Sequence, residues 1–119
     1  DRGKIELSNK YKELEKKLKS ALECISEESY FILDITTFVK DLNELNCPNQ
    51  SVTISEVINE LTPEHYCGNR PPKRAYNMKI SNCELYEFVI NSSYTETSTY
   101  VKFAFKNDNL YIVSLHKDR

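Results

Sequence analysis

Four cysteines carry the most distinctive chemistry in this chain: Cys24, Cys47, Cys67 and Cys83. Their number is even and their spacing is wide. Because no two of them are separated by only two residues, the pattern does not favour a structural zinc site. The pattern predicts two disulfide bonds, and the alternative interpretation is four buried thiols in a cytosolic domain.

Two N-glycosylation sequons accompany the cysteines, Asn49-Gln50-Ser51 and Asn91-Ser92-Ser93. Both fall in segments that the sequence pattern predicts to be loops, where a glycan can be accommodated. The cysteines and the sequons together predict a secreted or extracellular glycoprotein with glycans at Asn49 and Asn91.

The predicted helices limit how the cysteines can pair. If the first two helices form an antiparallel hairpin, Cys24 lies near its turn and Cys47 at the far end of the second helix. A helix of about 20 residues is roughly 30 Å long, whereas a disulfide needs Cα atoms within about 7 Å. Cys24–Cys47 is therefore disfavoured. We favour Cys47–Cys67 with Cys24–Cys83, and the alternative is Cys24–Cys67 with Cys47–Cys83.

The two histidines, His65 and His116, are the remaining candidates for catalysis or metal binding. Nothing in their positions brings them together. The sequence also lacks a nucleophile elbow, a P-loop, a zinc-protease helix motif and an EF-hand loop. We therefore predict that the chain is not an enzyme, and we assign no catalytic residue, metal ligand or cofactor.

Length and charge bear on other function classes. A chain of 119 residues is predicted to form a single domain over residues 1–119. The net charge of −2 gives no basis for predicting a nucleic-acid partner. No apolar run reaches the length of about 18 residues that a membrane-spanning helix needs.

Apolar residues recur at helical spacing in the first half of the chain. The spacing predicts helices over residues 5–25, 27–45 and 54–61, the first two forming a hairpin. Thr53 is the predicted N-cap of the third helix, in a capping box whose N3 residue is Glu56. The inward stripe of the second helix consists of Phe31, Ile35, Phe38, Val39, Leu42 and Leu45. Strand structure is the alternative interpretation, because residues 30–33 (Tyr-Phe-Ile-Leu) and 35–38 (Ile-Thr-Thr-Phe) are both rich in β-forming residues.

The C-terminal third is predicted to form a four-stranded antiparallel sheet. Apolar residues alternate with period two in segments 76–80, 83–90, 100–106 and 110–115, which is typical of strands. The clearest turn is residues 106–109, because Asn and Asp tolerate left-handed backbone geometry. The predicted fold class is therefore α+β, with an N-terminal helical hairpin and a short helix packed on this sheet.

Two regions are predicted to contact a protein partner or a second copy. Residues 110–115 are apolar on both faces of the last strand, with Leu115 grouped with Tyr111 rather than Ile112. One face of the strand packs under the helices. The open part of the other face is predicted to bind the partner or the second copy, and substitutions at Tyr111 and Ile112 test this. The second region is the basic, proline-containing loop 70–74, whose predicted contacts are Arg70, Lys73 and Arg74.

The closing hairpin, residues 101–113, is similar to the last hairpin of NTF2-like domains. Helices followed by a curved antiparallel sheet resemble the cystatin-like and NTF2-like architectures. The resemblance implies a fold and carries no functional residues with it. The Gln-Val-Val-Ala-Gly type loop of cystatins is absent.

Taken together, these patterns predict a secreted, disulfide-bonded, non-catalytic interaction domain of the effector, ligand or ectodomain type. Its partner is predicted to be an extracellular protein or a second copy bound through the sheet. The alternative is a carrier of a small apolar ligand, with a pocket between the sheet and the helices. That pocket would be lined by Phe31, Phe38, Phe88, Phe103 and Phe105.

Overall fold

A computed structural model describes residues 2–70 and 80–118 of the chain, and the side chains of residues 9–68 and 80–118. The described residues form three helices and one five-stranded sheet. The helices are α1 (Arg2–Ser26), α2 (Ile35–Glu44) and α3 (Gln50–Glu60). The strands are β1 (Tyr30–Ile32), β2 (Tyr66–Arg70), β3 (Leu85–Ser92), β4 (Thr97–Lys106) and β5 (Asn109–Lys117). A 3₁₀ turn over Pro63–His65 connects α3 to β2.

The sheet confirms the predicted α+β class and corrects its detail. Its strand order is β1-β5-β4-β3-β2. β1 runs parallel to β5, and the other neighbours are antiparallel. The sheet is therefore mixed, whereas the sequence predicted four antiparallel strands. The predicted first strand falls mostly on residues 71–79, outside the described residues, and β3 instead pairs with β2, which the sequence pattern had placed in a loop.

The second predicted helix is two elements, and the reason lies in its first residues. Glu28 has a positive φ of 58°, which ends α1. The N–H of Ser29 donates to the carbonyl of Cys24 at 2.7 Å, and this bond closes the helix end. The chain is then extended through β1, as the β-forming residues suggested, and α2 begins only after Asp34. The predicted helical hairpin does not form, because β1 separates the two helices.

α3 begins four residues before its predicted start. The side-chain oxygen of Asn49 accepts a hydrogen bond from the N–H of Val52 at 3.1 Å, so Asn49 is the N-cap. Thr53, the predicted cap, lies inside the helix, where its hydroxyl donates to the carbonyl of Asn49 at 2.6 Å. Both residues are good caps in isolation, and the backbone conformation decides between them.

The three helices cover one side of the sheet, which we call the helix face. Its buried residues join those of all three helices in one core. The rings of Phe88 and Phe103 stack within it with centroids 5.5 Å apart. The opposite side, which we call the far face, has a smaller buried cluster made of Ile80, Leu85 and Ala104.

An irregularity in the β4–β5 ladder decides which residues of β5 meet the core. Lys102 pairs with Ser114, but Phe103 pairs with Ile112, so the register shifts by one residue. Such a bulge reverses the alternation of side chains beyond it. Leu115 consequently joins Ile112 on the helix face, and its predicted place on the same side as Tyr111 is wrong.

Candidate interaction surface

Three large apolar side chains are exposed next to each other where β1 leads into α2. Phe31 and Ile35 are each 50% exposed and Val39 is 39% exposed. Ile35 and Val39 are four residues apart on α2 and therefore share a side of that helix. Phe31 and Ile35 both line a shallow depression of about 450 Å³. We call these three residues the β1–α2 patch, and exposed apolar groups clustered in this way are typical of interaction sites.

The patch continues onto the far face through Tyr111. The rings of Phe31 and Tyr111 stack with centroids 5.3 Å apart, because the two residues are partners in the β1–β5 register. Tyr111 is half-buried. The structure thus places this predicted contact residue beside the patch.

The backbone of β1 is paired with β5 through alternate residues. Leu110 donates its N–H to the carbonyl of Ser29, and Leu33 donates to the carbonyl of Ile112, both at 3.0 Å. In a parallel ladder, residues two apart bond to the same neighbour. Tyr30 and Ile32 therefore direct their backbone N–H and C=O groups away from β5. Within the described part of the chain, no strand lies on that outer side.

Two carboxylates stand at the ends of this edge. Glu28 lines the depression beside Phe31. Asp34 accepts hydrogen bonds from the N–H and the hydroxyl of Thr37 at 3.1 and 2.9 Å. These bonds lower the pKa of Asp34, so it carries a negative charge at neutral pH. An apolar edge strand is thus flanked by an acid at each end.

The predicted disulfides are not formed in the structure, where no bond joins any of the four cysteines. Cys24 is buried, and its thiol donates to the carbonyl of Asp108 at 3.5 Å. Cys47 is also buried, and its thiol donates to the carbonyl of Leu45 at 3.3 Å. Burial raises the pKa of both thiols, which keeps them protonated.

The other two cysteines lie closer to the surface. Cys67 is exposed on β2 and Cys83 is half-buried just before β3. Cys24 and Cys83 line two neighbouring depressions that share Lys17 and Phe105. One of the two favoured pairings therefore involves cysteines at the same end of the sheet, although no bond links them here.

Both sequon asparagines are exposed. Asn49 caps α3 through its side-chain oxygen, which leaves its amide nitrogen for a glycosidic bond. Asn91 lies near the end of β3, not in a loop as the sequence suggested, and its neighbour Ser92 is buried.

The remaining predicted contact residues do not join the patch. Arg70 ends β2 at the opposite edge of the sheet, and its side chain lies outside the described residues, as do Lys73 and Arg74. Ile112 is 1% exposed in the main core. Its side chain has no surface to offer a partner, because the helices cover it.

The histidines have separate local roles. The ring of His65 accepts the N–H of Thr62 at its Nδ1 atom, 3.0 Å away, and closes the 3₁₀ turn. His116 stacks on Tyr100 with ring centroids 5.0 Å apart. The hydroxyl of Tyr100 in turn donates to the buried carboxylate of Glu87 on the far face. Over residues 2–70 and 80–118 we find no group of three or more side chains arranged to hold a metal ion.

The five phenylalanines do not line one pocket. Phe38, Phe88 and Phe103 are at most 3% exposed and belong to the main core. Phe105 packs against that core, whereas Phe31 lies on the surface. The ring of Phe103 stacks on Phe88 and meets Phe105 edge-on, so these rings fill the core and the geometry does not favour a carrier with a phenylalanine-lined cavity.

Sequence reasoning missed the β1–α2 patch. It assigned Phe31, Ile35 and Val39 to the inward stripe of one long helix. The signal that points to them is the run of β-forming residues at 30–33, followed by Asp34, an N-cap residue. A strand and a new helix rotate these three side chains out of the stripe.

In comparisons with known proteins, no family model, no curated protein and no solved structure matches the chain. The resemblance to cystatin-like and NTF2-like domains stays a prediction. None of the helices in the described segments is both long and apolar enough to cross a membrane.

Proposed function

We propose that the chain is a secreted, non-catalytic protein-interaction domain that binds its partner through the β1–α2 patch. The observation that carries the proposal is the exposure of Phe31 and Ile35, each 50% accessible, beside a sheet edge. Apolar side chains of this size are normally buried, and a few such anchors supply most of the affinity of a protein interface.

The proposed secretion rests on the two sequons and the four cysteines. Asn49 and Asn91 are exposed and therefore accessible to a glycosyltransferase. Disulfide formation stays a prediction, and for Cys24–Cys83 it would have to join a residue of the main core to one beside the far-face cluster.

The experiment uses the chain produced in a secretory host and tests it against a panel of purified secreted and cell-surface proteins. A Phe31→Ser/Ile35→Ser variant is expected to bind the identified partner at least about thirtyfold more weakly, the size of a hot-spot loss. Val52→Ser is the matched control, because Val52 is 42% exposed on α3 and lies outside the patch.

Intact mass before and after removal of N-linked glycans is measured on the same preparations, together with the number of free thiols. Four free thiols with bare Asn49 and Asn91 would contradict secretion. Equal weakening by the patch variant and by Val52→Ser would contradict the proposed surface.

A further inference from the structure

We propose that β1 binds an extended, basic segment of the partner as an additional strand of the sheet. This inference rests on the proposed function and specifies how the partner is recognised. The partner strand would supply apolar side chains opposite Phe31 and a Lys or Arg at each end.

The backbone of β1 supports strand addition. Ser29, Phe31 and Leu33 face β5, as their ladder positions show. The N–H and C=O groups of Tyr30 and Ile32 therefore point to the outer side, which is the hydrogen-bonding pattern that an added strand uses. Only two residues present these groups, so we expect an affinity in the high micromolar range for a short peptide.

The side chains beside this edge fit apolar residues of the added strand. Phe31 is held in place by its stack on Tyr111, so it loses little freedom when it is covered. Ile35 lines the same depression as Tyr30, Phe31 and Ile32. A strand laid along β1 would cover this depression, and its residue opposite Phe31 would contact the exposed ring.

The charges select the chemistry of the partner. Glu28 stands before β1 and Asp34 after it, and the pKa of Asp34 is lowered by its bonds to Thr37. A partner strand with a cation at each end would complement both carboxylates. Such exposed pairs add modest affinity, but they favour one partner over others.

The same charges disfavour a second copy of this chain as the occupant. If two β1 strands paired antiparallel about Phe31, Tyr30 would face Ile32 of the second copy. Glu28, which precedes β1 in one copy, and Asp34, which follows β1 in the other, then lie at the same end of the strand pair. Like charges brought close together in this way repel each other, and this arrangement contains that repulsion twice.

Glu28 has an unusual backbone conformation for its residue type. Its φ of 58° is in the left-handed region, where a helix end normally has Gly or Asn. Asn46 occupies the equivalent position after α2, with φ 57°. The end of α2 thus has Asn46, which suits the left-handed conformation, whereas the end of α1 has Glu28. This glutamate adds a carboxylate to the edge formed by β1, at a cost in local stability.

The test uses the synthetic peptide Lys-Val-Thr-Val-Thr-Val-Lys, in which the central Val lies opposite Phe31 and each Lys lies at an end of β1 that carries a carboxylate. Binding to the full chain is followed by amide chemical-shift changes. We expect the largest shifts at Tyr30 and Ile32. The matched peptide with Glu at both ends is expected to bind at least about fivefold more weakly at low salt.

N-methylation of the peptide distinguishes strand pairing from a purely apolar contact. An added strand directs alternate amides toward β1. Two peptides are therefore compared, one methylated at the third and fifth residues and one methylated at the fourth residue alone. One of them should bind about tenfold more weakly than the unmethylated peptide, and the other should bind as well as it does. On the protein side, Glu28→Gln and Asp34→Asn should each weaken binding roughly two- to fivefold. Asn preserves the N-cap of α2.

Three outcomes would overturn the inference. One is no shift change at about 1 mM peptide, a concentration at which even weak binding is detected. Another is equal sensitivity to both methylation patterns. Self-association of the chain alone through β1, detected by sedimentation, would also contradict it. The proposed function would be contradicted by a different result, namely unchanged affinity of the natural partner for the Phe31→Ser/Ile35→Ser variant.

Discussion

The two faces of the sheet are constructed in different ways. On the helix face, Phe88, Val101 and Phe103 are fully buried under three helices. On the far face, the buried cluster around Leu85 and Ala104 lies beside Glu87, a carboxylate that is 3% exposed. The first face is closed mainly by apolar packing, with few buried polar groups such as Thr53 among the helices, whereas the second combines a few apolar residues with a buried polar bond.

This difference shows where the molecule tolerates change. A face closed by interlocking apolar side chains loses stability whenever one of them is altered. A face with partly exposed residues such as Tyr111 retains freedom to vary, and the β1–α2 patch borders that face. Three predictions test the contrast, from the largest expected effect to the smallest.

The sharpest test substitutes two neighbours in β5 that point to opposite faces. Ile112→Lys would place a charge in the main core and should lower the free energy of unfolding by at least about 4 kcal/mol, enough to unfold a small domain. Tyr111→Lys should lower it by about 1 kcal/mol, through loss of the stack on Phe31. Urea titrations followed by circular dichroism measure both. If both variants unfold, the two faces are equivalent cores.

The polar bond on the far face gives the second prediction. Tyr100→Phe removes the hydroxyl that donates to Glu87 and leaves that buried carboxylate with one donor fewer. We expect a loss of about 1–3 kcal/mol in the free energy of unfolding. Tyr111→Phe is the control, because no hydrogen bond of its hydroxyl is found within the described residues. Equal effects from the two variants would show that the far face does not depend on this bond.

The third prediction concerns a polar contact on the helix side. Glu60 accepts hydrogen bonds from the hydroxyl of Ser92 at 2.5 Å and the N–H of Ser93 at 2.7 Å, which connects α3 to the β3–β4 turn. Burial alone would raise the pKa of Glu60, but these bonds outweigh it and the pKa is lowered from its ordinary 4.5.

A carboxylate with a lowered pKa in the folded state stabilises the protein above its unfolded pKa, and that contribution disappears as the pH falls through the folded value. Glu60→Gln should therefore cost about 1 kcal/mol at neutral pH, and this cost should shrink as the pH is lowered below 4.5 through the folded pKa. Thermal unfolding over a series of pH values measures this. Glu56→Gln, which changes an exposed residue of the same helix, should show no such dependence.

The sequence correctly predicted those elements whose conformation depends on their own residues. The turn between β4 and β5 is the clearest case, since Asn107 and Asp108 both have positive φ, 53° and 62°. Asn and Asp adopt this geometry more readily than most residues, and the sequence therefore located the hairpin correctly. The strong apolar stripe of α1 made that helix equally predictable, apart from its first residues.

The misplaced elements depend on distant contacts. β1 is a strand because β5 is available to pair with it. Nothing within residues 27–45 indicates that β5 lies beside them. The register shift near Phe103 is likewise a property of the β4–β5 pair, and the residues of β5 alone do not indicate it. The candidate site lies at these two features, so the sequence predicted Tyr111 and missed Phe31 and Ile35.

The parallel pairing of β1 with β5 also has a consequence for the order of folding. Tyr30 pairs with Leu110, and closing a loop of roughly 80 residues costs about 4 kcal/mol of chain entropy. The β4–β5 hairpin closes a far shorter loop and can form first. During synthesis, β1 has no partner until β5, roughly 80 residues further along the chain, has left the ribosome. The edge proposed to bind a partner is therefore completed last, which delays binding until the rest of the sheet exists.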